Sequence, residues 1–334
     1  MDERIISNNL LIDDEVDVTL RPKSFGEYIG QKDVKEMVEI AVKAAKMRNE
    51  SLDHVLLYGP PGLGKTTLAQ VIANELGVNI KSLSGPTIER TGDLAAILTS
   101  LEPGDVLFID EIHRLPKIVE EILYSSMEDY VIDIVVGKDS GAKSIRVDLA
   151  PFTLIGATTR FGDLTGPLRD RFGIVHKLEF YSDAELEIIC QRTAKIYDCQ
   201  TEPQAIVELA KRSRGTPRIV NRLFRRVRDF ADILSEGLIT LEVTKTALQK
   251  LKIDELGLDN KDREYLLGII EKYHGGPVGL DTIATSISED AGTLEDVYEP
   301  FLIQKGFISR TPRGRVVTEK AYRHLKKSYQ GSLF

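Results

Sequence analysis

Between residues 21 and 180, short apolar runs alternate with stretches whose apolar positions recur every three or four residues. VLLYG (55–59), DVLFID (105–110) and FTLIGATT (152–159) are mainly apolar and end at turn or polar residues. Such runs predict buried strands, and the helical stretches between them predict a mostly parallel sheet covered on both faces. A helix is expected to open near Lys65. From 183 to 255 the spacing is helical and is broken only by RSRGTPR (212–218), which indicates a separate small helical domain. GLDNKD (257–262) reads as a linker. Beyond it, Tyr265, Leu266, Ile269, Ile270 and Tyr273 mark one helical face, PVGLDTIATSIS a short second helix, and TLEDVYEPFLIQ a third, bent at Pro300. FISRTPRGRVVT reads as two short strands around a basic turn, so this last part has the outline of a winged helix. The expected domains are 1–180, 181–256 and 257–334, with residues 1–20 as a loose arm.

Composition narrows the class. A chain of 334 residues is long enough for two or three cores. It has no apolar run of about 18 residues, so no membrane span is expected. The acidic start, MDERIISNNLLIDDEVDV, lacks the order of a secretion signal, and the two cysteines, Cys190 and Cys199, read as packing thiols, so a cytoplasmic location is expected. The net charge of −8 argues against nucleic acid, yet residues 301–334 carry eight Lys and Arg against one acid, Glu319. That local surplus can dominate the field at one face.

Three motifs carry chemistry. GPPGLGKTT (59–67) matches G-x-x-x-x-G-K-[ST] between a predicted strand and a predicted helix. Gly62 and Gly64 let backbone N–H groups curl round phosphates at the positive end of the helix, Lys65 reaches the outer phosphates, and Thr66, followed by Thr67, ligates Mg²⁺. Asp110 and Glu111 end the second strand, at the sheet edge where ligands bind. Asp110 suits Mg²⁺ coordination and Glu111 suits polarising an attacking water. Thr159 ends the third strand, where its hydroxyl either holds water or γ-phosphate or simply caps the strand. Arg171 in PLRDRFG and Arg218 in RGTPR are surface charges or partners of a developing phosphoryl charge.

LRPKSFGEYIGQ, GPPGLGKTTLA, LFIDEIHRL, GATTR, PLRDRFG, RGTPR and RTPRGR, in this order, resemble the RuvB family of AAA+ ATPases, the bacterial Holliday-junction branch-migration motors. The resemblance runs from residue 20 over nearly the whole chain. It implies an AAA+ P-loop domain, a small helical lid and a C-terminal winged helix. It implies ATP and Mg²⁺ as cofactors, with Lys65 and Thr66 as the Walker A pair and Asp110 and Glu111 as the Walker B pair. Thr159 takes the sensor-1 place, Arg218 the sensor-2 place, and Arg171 that of an arginine finger acting on a neighbouring subunit's nucleotide. Leu20, Arg21, Tyr28, Ile29 and Tyr181 fall where the family holds the base, and Glu128, Asp129 and Tyr130 match another nucleotide-adjacent stretch. It also implies a hexameric ring, a Holliday junction as substrate, RuvA as partner and RuvC as a further candidate partner. Phe161 departs from the family pattern, in the loop before the finger.

Two alternating runs around GKDSGAK, within 130–149, predict a hairpin. Its Ile132, Ile134, Val136, Ile145 and Val147 either pack together or dock a partner; the resemblance makes RuvA that partner. In the winged helix, the third helix carries Glu295, Asp296 and Glu299, which opposes base reading beside phosphates. The wing arginines Arg310, Arg313 and Arg315 are therefore the expected DNA contacts, to backbone or minor groove. The basic run from Arg212 to Arg228 reads as a solvated helix face, with DNA or a neighbour's acids as alternatives. An AAA+ nucleotide switch of the clamp-loader or initiator kind shares the P-loop, sensors and finger and is the alternative function. A winged-helix transcription regulator is disfavoured by the acidic third helix.

Overall fold

The computed structural model describes residues 20–136 and 143–329; the arm before Leu20, the hairpin turn at 137–142 and the end at 330–334 lie outside the described residues. The chain divides into two compact units, Met1–Gly59 with Leu63–Glu179, and Pro60–Gly62 with Phe180–Phe334.

The first unit runs α1 (Lys32–Arg48), β1 (Val55–Tyr58), α2 (Lys65–Leu76), β2 (Ile80–Ser84), α3 (Thr91–Leu98), β3 (Val106–Asp110), α4 (Lys117–Glu128), β4 (Val131–Val136), β5 (Lys143–Asp148), β6 (Thr153–Thr158), α5 (Gly166–Arg169) and β7 (Ile174–Lys177). Five strands form one parallel sheet in the order β2-β3-β6-β1-β7. β6 is buried along its whole length, and β3 everywhere but at Asp110, which explains their mainly apolar sequence. β2 and β7, at the two edges, are only partly buried and mix polar with apolar residues. His54 ties three elements together: its Nε2 donates to the Met127 carbonyl at 3.0 Å and its Nδ1 accepts from the Leu154 amide at 2.9 Å. Burial pushes its pKa down, which keeps the ring neutral as this pairing requires.

β4 and β5 form a separate antiparallel hairpin between α4 and β6. Its root is core, since Ile132 is fully buried and Val147 packs against the cluster of Leu123, Met127, Leu149 and Phe152. Ile145 is instead 49% exposed. The side chains of Ile134 and Val136 lie outside the described residues.

The second unit opens with four helices, α6 (Asp183–Ile196), α7 (Pro203–Lys211), α8 (Pro217–Leu234) and α9 (Leu241–Lys250). α6 starts in a capping box between Ser182 and Glu185. Then come α10 (Asn260–Tyr273), α11 (Leu280–Ile287), a helical stretch α12 built from Ala291–Thr293, Leu294–Tyr298 and Glu299–Gln304, the antiparallel wing strands β8 (Ile308–Thr311) and β9 (Gly314–Val317), and α13 (Glu319–His324). The bend expected at Pro300 takes the form of a π-helical turn over Leu294–Tyr298, with the Glu299 amide bonded to the Leu294 carbonyl. The prolyl nitrogen has no hydrogen to give, and widening the turn before it lets the helix continue.

Arg214 joins the four-helix part to the winged helix. Its backbone is left-handed (φ 57), its Nη2 donates to Asp262 Oδ1 at 3.1 Å, and its guanidinium carbon lies 4.5 Å from the Phe301 ring centre. Burial pushes the Asp262 carboxyl up to about 7 against the pull of Arg214. Members of the basic run from Arg212 to Arg228 are engaged within the same unit: Arg212 with Glu208, Arg226 with Asp229, and Arg228 over the Tyr197 ring.

Cys190 is fully buried and its thiol is pushed up to about 12 by desolvation, while Cys199 is half-buried and its thiol is also raised by burial. The native protein should therefore react with a thiol reagent at Cys199 alone, and slowly, with Cys190 modified only on denaturation. Counting modified thiols before and after denaturant checks this; two fast native thiols would contradict it.

Candidate functional site

Parallel register builds the site. β6 lies between β1 and β3, with Tyr58 opposite Thr158 and Ile109 opposite Gly156, so three carboxyl ends open at one sheet edge. The chain leaves β1 through Gly59, whose φ is 140° and whose Cα faces the Leu178 carbonyl so closely that a Cβ would come within 2.5 Å. Gly62 (φ 80°) and Gly64 (φ 94°) continue the turn, and Gly64 caps α2, whose N-terminal amides thus face the loop. Lys65 is 7% exposed and donates to the Gly59 carbonyl at 2.8 Å. Burial lowers its pKa, and the charges of Asp110 and Glu111 oppose that.

Glu111 sits in the left-handed region (φ 49), which turns its carboxylate away from the strand direction. Its Oε2 accepts from Thr159 Oγ1 at 3.2 Å and lies 3.2 Å from His113 Nδ1, which is itself 2.9 Å from the buried Thr158 hydroxyl. Thr159 is thus a partner of Glu111, and His113 is a site residue that motif reading passed over. Its only signal is a polar ring two residues beyond the acidic pair. Gly85, after β2, was likewise missed. A Cβ there would meet the Glu111 carbonyl oxygen at 2.4 Å, so only glycine fits beside this turned backbone.

The residues present fit a nucleotide with Mg²⁺. A hard cation takes oxygen donors, and Thr66 and Asp110 would offer them beside the phosphates. Leu20 and Tyr28 are buried, Arg21 and Ile29 half-buried. Gln31 exchanges two hydrogen bonds with the Glu179 backbone (2.6 and 3.1 Å), tying the stretch that follows Tyr28 and Ile29 to the end of this unit.

Arg171 keeps different company. Its Nη2 pairs with Glu128 at 2.7 Å, its Nη1 donates to the Pro167 carbonyl at 2.7 Å and its Nε to the Tyr124 carbonyl at 3.3 Å. Among the described residues none of its bonds goes to Lys65, Asp110, Glu111 or Thr159. Two stretches expected to adjoin nucleotide, Glu128–Tyr130 and the finger, therefore meet each other through Glu128. In the second unit Tyr181 is buried and its amide donates to the Gly215 carbonyl at 2.9 Å. The amide of Arg218, at the start of α8, faces the carbonyl of Gly62, the loop glycine that clusters with this unit, at 3.4 Å.

The wing differs from expectation in the use of its charges. Glu299 is fully buried and accepts from Arg310 Nε at 2.8 Å, Arg315 Nε at 2.8 Å and the Tyr265 hydroxyl at 2.6 Å. Although burial works to raise its pKa, the bonds from Arg315 and Tyr265 and the charge of Arg310 hold it below the ordinary carboxylate value. Glu295 pairs with both arginines at 3.3–3.4 Å. Two of the three acids on α12 are thus internal counter-ions. Arg313 stands exposed at the turn, and among the described residues its guanidinium has no ion-pair partner.

A P-loop, an acid pair one strand removed from it and a helical lid define an AAA+ P-loop ATPase, here joined to a winged helix. Three family models cover nearly the whole chain: the Holliday junction DNA helicase RuvB P-loop domain over residues 20–178, the RuvB AAA lid domain over 181–254 and the RuvB C-terminal winged helix domain over 255–326. The chain belongs to the RuvB family. It is 60% identical over 333 residues to the Holliday junction branch migration complex subunit RuvB of Acholeplasma laidlawii (strain PG-8A), covering 99% of each chain. The solved Thermotoga maritima RuvB Holliday junction branch migration motor is similar at 54% identity and a TM-score of 0.86, covering 93% of this chain and 99% of that one. A lysine-to-arginine variant of the Thermotoga protein gives 55% identity and a TM-score of 0.87 over the same shares.

Two outcomes follow. Gly85→Ala should lower ATP turnover about tenfold or more while nucleotide affinity changes by less than about threefold, because the added methyl displaces Glu111 and not the loop; equal losses in both would contradict this. Arg315→Ala leaves part of the Glu299 charge uncompensated and should cost about 3 kcal/mol of winged-helix stability, the low end for a broken buried pair. Arg313→Ala should leave unfolding unchanged. Denaturant melts of both variants decide it.

Proposed function

We propose that this chain is an ATP-driven motor that moves duplex DNA at Holliday junctions, acting as a hexameric ring with RuvA. One observation carries the reading: Glu111 is held by Thr159 and His113 at the sheet edge that also presents Lys65, while Arg171 is presented elsewhere. A site so arranged has a base and a phosphate-binding lysine in one chain and receives its finger from a second.

In this reading the loop amides and Lys65 hold the phosphates, Thr66 and Asp110 hold Mg²⁺, and Leu20, Arg21, Tyr28, Ile29 and Tyr181 enclose the base. The bound nucleotide would supply the phosphoryl group, and a Mg²⁺ held there would offset its charge. Glu111 orients the attacking water, Thr159 and His113 fix the rotamer of Glu111, and Arg218 answers to the γ-phosphate. Arg313 at the wing turn and Arg310, 44% exposed, meet the DNA backbone or minor groove, where charge serves any sequence equally, while Arg315 braces the wing through Glu299. Ile145, apolar and exposed on the hairpin, supports that strand as the RuvA contact.

The test is ATPase and branch migration of a four-way junction, with and without RuvA. Arg171→Ala should reduce turnover by about 10³-fold, the scale of a trans finger. Ile145→Asp should keep basal hydrolysis and lose stimulation by RuvA. Normal hydrolysis by the first variant removes the trans finger, and normal stimulation of the second removes the docking hairpin. Turnover without movement of the junction points to a nucleotide switch instead.

A further inference from the structure

Glu120, Tyr124 and Glu128 recur at four-residue intervals along α4 and so share one face of that helix. Each touches the segment that carries the finger. Glu120, 7% exposed, accepts a hydrogen bond from the hydroxyl of Thr165, the residue that precedes α5. The Tyr124 hydroxyl lies 3.2 Å from Glu120 Oε1 and 3.0 Å from Thr165 Oγ1. On the face of the same ring lies the guanidinium of Arg171, 4.7 Å from the ring centre. Glu128 completes the set with its 2.7 Å ion pair.

The contacts differ in permanence. Glu120 is buried and its bonds are shielded from water, whereas the Glu128 carboxylate is 63% exposed beside an Arg171 side chain that is 25% exposed. A pair that open to solvent is screened and weak, so exchanging Glu128 for a phosphate disturbs little. The ring is the lasting support. It binds the guanidinium through its face and leaves the planar N–H edge able to donate.

We propose that Tyr124 is a positioning residue for Arg171: its ring, locked by Glu120 and Thr165, aims the finger at a neighbouring subunit's nucleotide, and Glu128 is the counter-ion the finger leaves. This rests on the trans-finger reading of Arg171. Its distinguishing consequence is that Tyr124 serves the neighbour's site and not its own.

Mixed rings test this. Subunits with Lys65→Ala keep a finger but lack a working site, and subunits with Arg171→Ala keep a site but lack the finger. Mixing the two should restore ATP turnover at the interfaces that combine them. Adding Tyr124→Leu to the Lys65→Ala subunits should cut the restored turnover by about tenfold to 10²-fold, the cost of a misplaced group. Adding it to the Arg171→Ala subunits should leave turnover within about threefold. Tyr124→Phe, which keeps the ring and loses its hydroxyl bonds, should fall between these on the finger-donating side. An equal loss in both placements means that Tyr124 only stabilises the fold and overturns the proposal, as does no loss on the donating side. No restored turnover in the parent mixture means that the trans finger itself is wrong, and the proposal falls with it.

Discussion

The phosphate loop, the acid pair and the threonines of GATTR are placed by the insertion of β6 between β1 and β3. Parallel hydrogen-bond ladders do not allow neighbouring strands to slide independently, so the ends of these strands stay level. Level ends put the phosphate loop, the acid pair and the threonines of GATTR beside one another without any side chain having to reach far. Close packing enforces this arrangement. A Cβ on Gly156 in the middle of β6 would lie 3.1–3.2 Å from Ile112, Phe172 and Leu56, side chains that belong to the turns and strand on either side. The chemistry at the edge and the packing in the centre are therefore one constraint.

Charges that look alike in sequence serve different ends. Lys65 is buried with two acids near it, and Arg214 is buried against Asp262. Arg315 is nearly enclosed beside Glu299, whereas Arg313 is open to water. Only the tertiary surroundings separate a cation that holds the protein together from one available to a ligand. Desolvation makes the first kind costly to strand without a partner.

Much of the fold was legible because the central strands are buried on both faces and read as mainly apolar runs. β1, β3 and β6 were found that way, and the loop and acid pair were found at their ends. The edge strands β2 and β7 were not, because IKSLS and IVHK are half-exposed and carry no clear period. The site was legible where a motif is contiguous and illegible where contacts are long-range. His113 meets Thr158 across 45 residues of sequence, and Arg171 meets Glu128 across 43. The acids of α12 argue in sequence against base reading by that helix, yet Glu299 is internal. Its partners lie 11 and 16 residues further on, across the turn into the wing. Residues 137–142 of the hairpin lie outside what the structure describes.

The buried carboxylate beneath the wing has a consequence for how the domain responds to salt. Dissolved ions weaken attractions between exposed charges over roughly 8–10 Å at physiological strength, and weaken enclosed pairs much less. The bonds from Arg315 and Tyr265 to Glu299 are largely out of reach of those ions. A phosphate contact at Arg313 would be fully within their reach. A rise in ionic strength would then loosen the grip on a duplex while the wing itself kept its shape. The domain would come off the nucleic acid in the same conformation in which it rebinds.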